Sequence, residues 1–417
     1  MPEKVNIFVP DAFPDGNSVG RATHMMAKGL SSQGCDPSII ARWRSSGEGW
    51  AAPDGIETLT FGVFDRKKSK AISRLEWTKS AAGFALACWS RIILGDADCS
   101  IFYGASPLYL PAAWTARVMR RPMAFVQYDL YRPTAQDSAA KRRAAALYSF
   151  TESYLARSAS LLIISESPSL IGHFAKIAPD VVPFPNWPPT DASFFSSGSP
   201  ARGRELAGVQ ADVPLIVYTG AINRLEGVDI LITAMREIIA QYPEAILAIA
   251  GSVIGDIVEG PAPDYMKLPA DLGVERNVRF VGTVSRDGVR DLLAAANCLV
   301  MPKRDHPGNE AASPIKLGEY LASSRPVVAS NVCGINRWLE DGKSIFLVKP
   351  GSPSDLARAI TAALADPIGA SAVGAKGRTA GEQHCDFKSW GRAFLESWRL
   401  VSGKTRGARG EEAQARA

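Results

Sequence analysis

Short, continuous apolar segments recur along the chain, and segments with helical spacing of apolar residues separate them. A strand that is buried on both faces of a parallel sheet has this continuous apolar character. Strands that alternate with helices form doubly wound α/β folds, so the sequence predicts Rossmann-like parallel sheets. The predicted strands include 5–10, 100–103, 123–126 and 161–164 in the first half, and 215–218, 245–250, 278–281, 298–301, 326–329 and 345–348 in the second.

The strand pattern is interrupted once, at residues 183–189, where four of seven residues are proline. Proline cannot continue a helix or a central strand, so the interruption predicts a boundary between two similar domains. We expect a first domain at 1–185, a linker at 186–203 and a second domain at 204–385. A helix at 386–402 is expected to return to the first domain, and the polar tail at 403–417 is expected to be disordered.

The net charge of +5 lies entirely in the first part of the chain. Residues 1–190 contain 21 Lys and Arg against 16 Asp and Glu, and the remainder contains 26 of each. Basic runs at 66–70, 117–121 and 141–143 are typical of solvated helix faces, but a surface that meets phosphate or anionic lipid has the same composition. No nucleic-acid reader motif is recognisable, so we do not expect nucleic acid as a partner.

The six cysteines are widely spaced, and the chain has only four histidines. A zinc site or a disulfide framework is therefore not expected, and reduced thiols are the default. No signal peptide is visible, and the most apolar stretch, 81–94, is too short to cross a bilayer. We expect a cytoplasmic protein that is soluble, or peripheral at the inner face of the membrane.

The segment 218–229 joins a predicted strand to a predicted helix through Gly220 and carries Arg224. The first turn of a helix offers free amides and the positive end of the helix dipole, which favour anions. An arginine there adds a permanent charge and a bidentate fork for a diphosphate. A loop arginine with a purely structural role would give the same pattern.

The segment 309–322 has small residues and Pro314 before a second predicted helix, which again exposes amides at a helix start. One turn further on, Glu319 would direct a carboxylate towards that end, where it could accept two sugar hydroxyls. The alternative is a helix-favouring glutamate in an ordinary amphipathic helix.

The order of these motifs resembles glycosyltransferase family 4. The similarity rests on Tyr-Thr-Gly and Arg-Leu-Glu-Gly-Val-Asp in 218–229, Val-Gly-Thr-Val in 281–284, Ser-Pro-Ile-Lys-Leu-Gly-Glu-Tyr-Leu-Ala in 313–322 and Arg-Pro-Val-Val-Ala-Ser in 325–330. The resemblance implies the GT-B fold, in which two Rossmann-like domains face each other across a cleft. It also implies a retaining enzyme that uses a nucleoside-diphosphate sugar as co-substrate and needs no other cofactor.

Site residues follow from the resemblance position by position. Glu319 matches the glutamate that binds the nucleotide ribose, whereas Ala311 stands in place of the family's first glutamate and neighbouring Glu310 is a candidate substitute. Arg224, with Lys316 or Lys303, matches the basic pair that binds the diphosphate, although Glu226 replaces the usual lysine. The remaining donor contacts implied by the resemblance are Gly220, Gly282, Thr283, Ala312, Ser313, Ile315 and Lys316.

In the first domain, Asp129 follows a predicted strand where many family members have a His-Asp pair, with Tyr128 at the histidine position. Asp129 is therefore a candidate for the sugar site, together with Arg224 and Lys316 as catalytic residues, and helix capping is its alternative role. Gly16 and Gly20 lie in a loop that resembles the family's glycine-rich loop near the donor phosphates.

The pair Asp96 and Asp98 has the spacing with which other glycosyltransferases hold a metal ion, but it precedes a predicted strand instead of following one. We therefore expect a metal-independent enzyme with no metal-binding residues. The acceptor is expected to be a hydroxyl compound, lipid-linked or anionic, in polysaccharide, lipopolysaccharide or glycolipid assembly. The alternatives are a nucleotide-sugar epimerase or phosphorylase of the same fold, and a non-catalytic subunit that binds a nucleotide sugar.

Overall fold

A computed structural model describes residues 2–13, 18–45, 53–64, 74–130, 138–181, 183–255, 258 and 261–414. The described chain forms two compact units. The first contains residues 1–165, 169–190 and 387–417, and the second contains 166–168 and 191–386. The first unit is therefore built from both ends of the chain.

A parallel sheet forms the centre of the first unit, with strand order β3-β2-β1-β5-β6-β7-β8 and β4 paired to β2. Strands β5, β6 and β7 are buried at every position, as expected for strands covered by helices on both faces. The strands are β1 Lys4–Phe13, β2 Asp36–Ser45, β3 Glu57–Thr60, β4 Val63–Phe64, β5 Cys99–Tyr103, β6 Met123–Gln127, β7 Leu161–Ile164 and β8 Pro183–Pro185.

Helices connect the strands of the first unit, and the C-terminal helix of the chain also belongs to this unit. They are α1 Ser18–Ser31, α2 Arg74–Ile93, α3 Leu110–Val118, α4 Ala139–Ser158, α5 Pro168–Ile177 and α15 Phe387–Gln414. Helix α15 packs on α1 at a close crossing. A Cβ atom at Gly29 would lie 2.4 Å from the carbonyl oxygen of Phe387, and one at Gly391 would lie 2.2 Å from that of Gly29. The crossing therefore requires glycine on both helices.

The second unit has its own parallel sheet, with strand order β11-β10-β9-β12-β13-β14. Its strands are β9 Leu215–Thr219, β10 Ile246–Ala250, β11 Val278–Gly282, β12 Cys298–Met301, β13 Val327–Ser330 and β14 Phe346–Val348. Its helices are α6 Ala192–Phe195, α7 Pro200–Ala207, α8 Val228–Gln241, α9 Leu268–Asp271, α10 Arg286–Ala295, α11 Pro307–Glu310, α12 Ile315–Ala322, α13 Pro353–Ala365 and α14 Pro367–His384. Both sheets confirm the predicted α/β fold with two doubly wound parallel sheets.

Strands β2, β3, β4 and β8 are absent from the sequence prediction, and the proline-rich β8 lies at the edge of the sheet, where proline is tolerated. Strand β2 contains arginines and serines among its apolar residues, so its sequence lacks a continuous apolar run. Arg42 is nevertheless buried, because its guanidinium stacks 4.3 Å from the ring centroid of Trp77 and donates to the carbonyl of Trp77 and the hydroxyl of Ser80. Paired and stacked in this way, an arginine is compatible with a central strand.

The predicted linker at 186–203 is not an irregular connection throughout. Residues 200–203 begin helix α7, whose N-cap Ser199 accepts a hydrogen bond from the amide of Arg202. Helix α7 packs on α10, and a Cβ atom at Gly203 would lie 2.0 Å from the carbonyl oxygen of Asp291. Within the predicted linker, Gly203 thus allows two helices to approach closely.

The C-terminal segment also differs from the sequence expectation. Phe387, Trp390, Phe394 and Trp398 are buried on one side of α15. The helix then continues to Gln414, although we predicted disorder from residue 403, and residues 415–417 lie outside the described part of the chain. Alanine, arginine, glutamate and glutamine in this tail have good helix propensity, which a composition argument for disorder ignores.

All six cysteines are buried free thiols, and burial raises the pKa of each. Within the described residues, no single helix is long and apolar enough to cross a membrane. The consecutive helices α13 and α14 pass such a test only as a pair, across a bend of 107°.

The crossing of α1 and α15 yields a stability prediction. Gly391→Ala should lower the free energy of unfolding by about 1–3 kcal/mol, because the new methyl group overlaps the backbone of α1. Urea denaturation followed by tryptophan fluorescence measures this change, since Trp390 and Trp398 lie on α15.

Gly172→Ala is the matched control, because Gly172 also lies inside a helix but a Cβ atom there meets nothing within 4 Å. This control should stabilise the protein by up to about 1 kcal/mol through helix propensity. Equal effects of the two substitutions would contradict the close crossing.

Candidate functional site

The strand order of the second sheet places its crevice between β9 and β12. The chain leaves β9 towards β10 on one side, whereas β12 lies on the other side. Ligands of open parallel sheets bind at such a switch point, outside the carboxyl ends of the strands. The loops that follow β9 and β12 are residues 220–227 and 302–314. The first lies within the predicted segment 218–229, and the second overlaps the predicted segment 309–322 at residues 309–314.

An ion-pair cluster of Glu226, Lys303 and Lys316 joins these two loops. Lys303 Nζ lies 2.8 Å from Oε1 of Glu226, and Lys316 Nζ lies 2.6 Å from Oε2. The three side chains are largely withdrawn from solvent, with exposed fractions of 3% for Lys303, 12% for Lys316 and 16% for Glu226. One carboxylate thus bridges two ammonium groups from separate segments of the chain.

The cluster carries a net positive charge. Burial alone would raise the pKa of Glu226, but Lys303 and Lys316 hold that pKa far below its usual value, so Glu226 is ionised at neutral pH. Among the described residues, no second carboxylate pairs with either lysine. Two partly desolvated cations and one anion form a site that favours an additional anion.

Asn309 holds the β12 loop against the β9 loop. Its side chain is completely buried, and Nδ2 donates to the carbonyl oxygens of Leu225 and Arg304, each at 2.8 Å. Its Oδ1 accepts a hydrogen bond from Lys303 Nζ at 3.1 Å. Every hydrogen-bonding atom of the amide group is therefore used to fix Lys303 and the two loops.

Two glycines allow the backbone to approach the cluster. Gly227 has a φ of 76°, and a Cβ atom there would lie 1.8 Å from the carbonyl oxygen of Pro302. Gly220 has a φ of 138°, and a Cβ atom there would lie 2.6 Å from Lys316 Nζ. Gly220 is thus required both by its backbone conformation and by the space that the lysine occupies.

Two buried tyrosines attach helix α12 to strand β9. The hydroxyl of Tyr320 accepts a hydrogen bond from the amide of Thr219 at 2.8 Å. Lys316 Nζ lies 3.2 Å from the hydroxyl of Tyr218 and 4.6 Å from its ring centroid. Burial raises the pKa of Tyr218 well above its usual value, so its hydroxyl stays protonated. These contacts fix the first turn of α12 at the carboxyl end of β9.

The start of α12 provides backbone donors beside the cluster. Pro314 is the N-cap residue, so the amides of Ile315 and Lys316 belong to the first turn, where intrahelical acceptors are missing. The preceding Ala312 and Ser313 are half-buried, and the hydroxyl of Ser313 is buried without a hydrogen-bond partner. Ala312, Ser313 and Ile315, which the resemblance assigned to the donor, therefore lie beside Lys316.

Arg224 and Arg304 contact groups other than Glu226, the carboxylate that pairs with the two lysines. The guanidinium of Arg224 donates to the carbonyl oxygen of Val258, in the segment after β10. Arg304 forms an ion pair with Asp229 and donates from Nε to the carbonyl oxygen of Arg224 at 3.2 Å. Arg224 lies in the predicted loop, and its role with a diphosphate stays a prediction.

The two candidate glutamates occupy unlike environments. Glu319 lies one turn into α12 and is 8% exposed, and its role with a ribose stays a prediction. Glu310 ends α11 and is half-buried, and burial together with Asp305 raises its pKa. Ala311, at the position of the family's first glutamate, is buried.

Gly282 and Thr283 lie at the carboxyl end of β11, at the same edge of the sheet as Gly220. The carbonyl oxygen of Gly282 accepts from the amide of Gly251 at 2.8 Å, and a Cβ atom at Gly251 would lie 1.7 Å from the carbonyl oxygen of Gly220. Thr283 is exposed. Gly282 is thus the last residue of β11, and Thr283 directly follows it.

In the first unit, Asp129 lies just beyond the carboxyl end of β6. The surrounding protein raises its pKa by desolvation, and the charge of Glu152 adds to this shift. Neighbouring Tyr128 is buried, and its hydroxyl accepts a hydrogen bond from Trp390 Nε1 at 3.3 Å. Gly20 was predicted to lie in a loop, but it is buried in the first turn of α1, which begins at Ser18; Gly16 lies outside the described residues.

Asp96 and Asp98 lie at the opposite edge of the first sheet, at the amino ends of β1 and β5. Asp96 forms an ion pair with Lys4, and Asp98 accepts hydrogen bonds from the amides of Glu3 and Lys4. Within the described parts of the chain, no group of three or more His, Cys, Asp or Glu side chains is arranged to hold a metal ion.

Sequence reasoning missed the structural roles of Asn309, Tyr218 and Tyr320, and the bridging role of Glu226. Each is a polar residue within or beside a segment that had been selected. Polar residues directly after buried strands were the available signal, but their partners are distant in sequence. Lys303 and Lys316 had been named, and the structure brings them to one carboxylate.

Comparisons with known proteins find similarity over the part of the chain that contains the ion-pair cluster. Residues 213–366 match the model of the family described as "Glycosyl transferases group 1". The D-inositol 3-phosphate glycosyltransferase of Frankia alni is 31% identical over 218 residues, which are 51% of each chain. The chain aligns with about half, or less, of the length of the curated relatives it matches.

Solved structures resemble the whole chain. Sucrose-phosphate synthase from Thermosynechococcus elongatus has a TM-score of 0.70 at 17% identity, covering 96% of this chain and all of that one. Anabaena HepE in complex with UDP-glucose has a TM-score of 0.64 at 18% identity, covering 98% and 100%. Together with the two Rossmann-like sheets, these similarities confirm the predicted GT-B fold class.

The ion-pair cluster yields a second stability prediction. Glu226→Gln should lower the free energy of unfolding by about 3–5 kcal/mol at neutral pH, because it leaves two buried ammonium groups without an anion. Denaturant unfolding of the ligand-free protein measures this loss. Glu340→Gln is the control, since Glu340 pairs with Lys343 at the exposed surface and should contribute little.

The destabilisation by Glu226→Gln should depend on pH. The pKa of a glutamate in the unfolded chain is about 4.3, and the pKa of Glu226 in the folded protein is far lower. The stabilisation by Glu226 is therefore fully present above the unfolded pKa and is lost as the pH falls towards the folded pKa. The stability difference between the wild type and Glu226→Gln should be constant down to about pH 5 and shrink below it. A difference that grows in acid would contradict the assignment.

Proposed function

We propose that the chain is a glycosyltransferase that transfers a sugar from a nucleoside-diphosphate sugar to an acceptor hydroxyl, with retention at the anomeric carbon. The observation that carries this proposal is the pair of lysines held by Glu226 beside the first turn of α12, at the switch point of the second sheet. The matched family region contains this site entirely. The UDP-glucose complex of the structurally similar HepE is consistent with a nucleotide sugar as the donor.

Electrostatic stabilisation of the leaving group is the proposed source of catalysis. When the glycosidic bond to the donor breaks, negative charge accumulates on the diphosphate. Lys316 and the amides of Ile315 and Lys316 would stabilise this charge, with Arg224 contributing from the β9 loop. Glu226 would act as a positioning residue, because it orients Lys316 without needing to contact the donor.

The other predicted residues would bind the donor at rest. The carboxylate of Glu319 suits two ribose hydroxyls, and Ser313 has a buried hydroxyl available for a ligand acceptor or donor. Asp129, in the first unit, keeps its predicted role towards the sugar as a proposal. The leaving phosphate itself would take the proton of the acceptor hydroxyl, which suits displacement from the front face and therefore retention.

Metal independence is part of the proposal. Lysine ammonium groups beside a helix start can supply the positive charge that a divalent ion supplies in other transferases. The acceptor is proposed to be lipid-linked or anionic, from polysaccharide, lipopolysaccharide or glycolipid assembly. The enzyme would act in the cytoplasm, at the inner face of the membrane.

A first experiment identifies the donor. A thermal-shift screen with UDP-, GDP-, ADP- and dTDP-sugars should show a rise in melting temperature with one nucleotide class, since ligands that bind the folded state stabilise it. The retained anomeric configuration is then read from the product by NMR. Epimer formation from the donor alone, or donor binding without transfer to any acceptor of a panel, would contradict the proposal.

Lys316→Gln should lower kcat/KM for transfer by about a hundredfold or more, because it removes a cation from the site of developing charge. The matched control is Lys343→Gln, at an exposed ion pair in the same unit, which should leave activity unchanged. Chelator treatment should also leave the wild-type rate unchanged. A Lys316→Gln enzyme of normal activity would overturn the assigned role, and a rate that depends on added Mg²⁺ or Mn²⁺ would overturn metal independence.

A further inference from the structure

Three helices of the first unit, α2, α3 and α4, expose large apolar side chains to solvent. The exposed fraction is 53% for Trp77, 61% for Leu86, 61% for Trp114 and 60% for Phe150. The remaining members are Leu75, Trp89, Val118 and Leu147 on these helices, with Leu94 and Met119 directly after α2 and α3, and each is at least 40% exposed. We call these residues the α2–α4 face.

The exposed residues occupy the outward stripes of helices whose inward stripes are already apolar. In α2, Phe84 and Cys88 are buried, whereas Leu86 and Trp89 are directed outward. A helix that covers a sheet in a soluble protein normally has a polar outward side. A contiguous exposed apolar surface of this kind marks an interaction site.

The three helices are neighbours, so their outward stripes form one surface. Trp89 Nε1 donates a hydrogen bond to Thr115 Oγ1 at 3.0 Å, which connects α2 to α3. Arg117 Nη1 donates to Ser158 Oγ at 3.1 Å, which connects α3 to the end of α4. The apolar side chains are therefore presented side by side along adjacent helices.

The same helices are strongly basic. Together α2, α3 and α4 contain eight Lys and Arg residues and only two acidic residues, Glu76 and Glu152. Glu152 is buried and pairs with His173, so it does not offset the surface charge. The exposed basic residues Arg117, Arg142 and Arg143 lie on the helices that carry Trp114 and Phe150.

We propose that the α2–α4 face binds the surface of an anionic lipid bilayer. Tryptophan, phenylalanine and leucine enter the boundary between headgroups and acyl chains, while lysine and arginine attract anionic headgroups. A second copy of the chain would bring two surfaces of the same positive charge together, which is unfavourable. A bilayer with negative lipids complements both the charge and the apolar area.

The orientation of the helices connects this face to the edge of the first sheet at which Asp129 lies. Helices that link parallel strands run opposite to them, so the first turns of α2 and α4 lie near the carboxyl ends of the strands. The first turns hold Trp77 and 141–143, and Asp129 lies at the same edge. Bilayer binding would thus bring a lipid-linked hydroxyl close to Asp129. The binding itself does not depend on the proposed glycosyl transfer.

The test is co-sedimentation of the full chain with vesicles of phosphatidylcholine, alone or mixed with phosphatidylglycerol. The wild type should bind the mixed vesicles and not pure phosphatidylcholine. Arg142→Gln with Arg143→Gln should weaken binding at low salt by about fivefold for each charge removed. Trp114→Ala with Phe150→Ala should weaken it on the order of tenfold at every salt concentration, because the loss is of apolar contact.

The matched controls are exposed residues of the second unit, namely Met266→Ala with Ile368→Ala for apolar area and Arg236→Gln with Lys376→Gln for charge. These controls should bind like the wild type. Equal binding of the wild type to both vesicle types, or equal losses in the controls, would overturn the proposal. A lipid-free dimer that Trp114→Ala with Phe150→Ala dissociates, seen by analytical ultracentrifugation, would assign the face to a second copy instead.

Discussion

Two lysine side chains in the second unit share a single buried carboxylate, and the geometry of the candidate site depends on that interaction. Glu226 follows β9, Lys303 follows β12 and Lys316 belongs to the first turn of α12. Removing such charges from water is costly, so the pairs are favourable only with the additional hydrogen bonds from Asn309 and Tyr218. The cluster thereby fixes three segments at one point while keeping a surplus of positive charge there.

The fold could be predicted from the sequence because its central strands are buried on both faces. Such strands are continuous apolar runs, and their alternation with helices admits few topologies. The edge region was missed, since β2 contains Arg42, whose charge is compensated by a tryptophan ring and two hydrogen bonds that no local pattern shows. The linker predicted from the prolines missed helix α7, because its packing on α10 joins residues about 90 positions apart in the sequence.

The site was predictable as a set of loops but not as a set of contacts. Strand ends and helix starts can be read locally, which located Gly220, Arg224 and Lys316. Contacts between residues 77 and 90 positions apart, as in the cluster of Glu226, follow from β12 lying beside β9 in the sheet. That adjacency is a property of the tertiary fold. From the sequence, Glu226 was interpreted as the loss of the family's usual lysine, whereas in the structure its carboxylate orients Lys303 and Lys316.

The close crossing of Gly29 and Gly391 affects how the protein is made. The first unit needs α15 for its core, since Trp390 and Phe394 are buried there, yet residues 191–386 of the second unit separate α15 from the rest of the first unit in the chain. Synthesis therefore adds the whole second unit before it reaches α15. The core of the first unit can be completed only after residues 191–386 have been made.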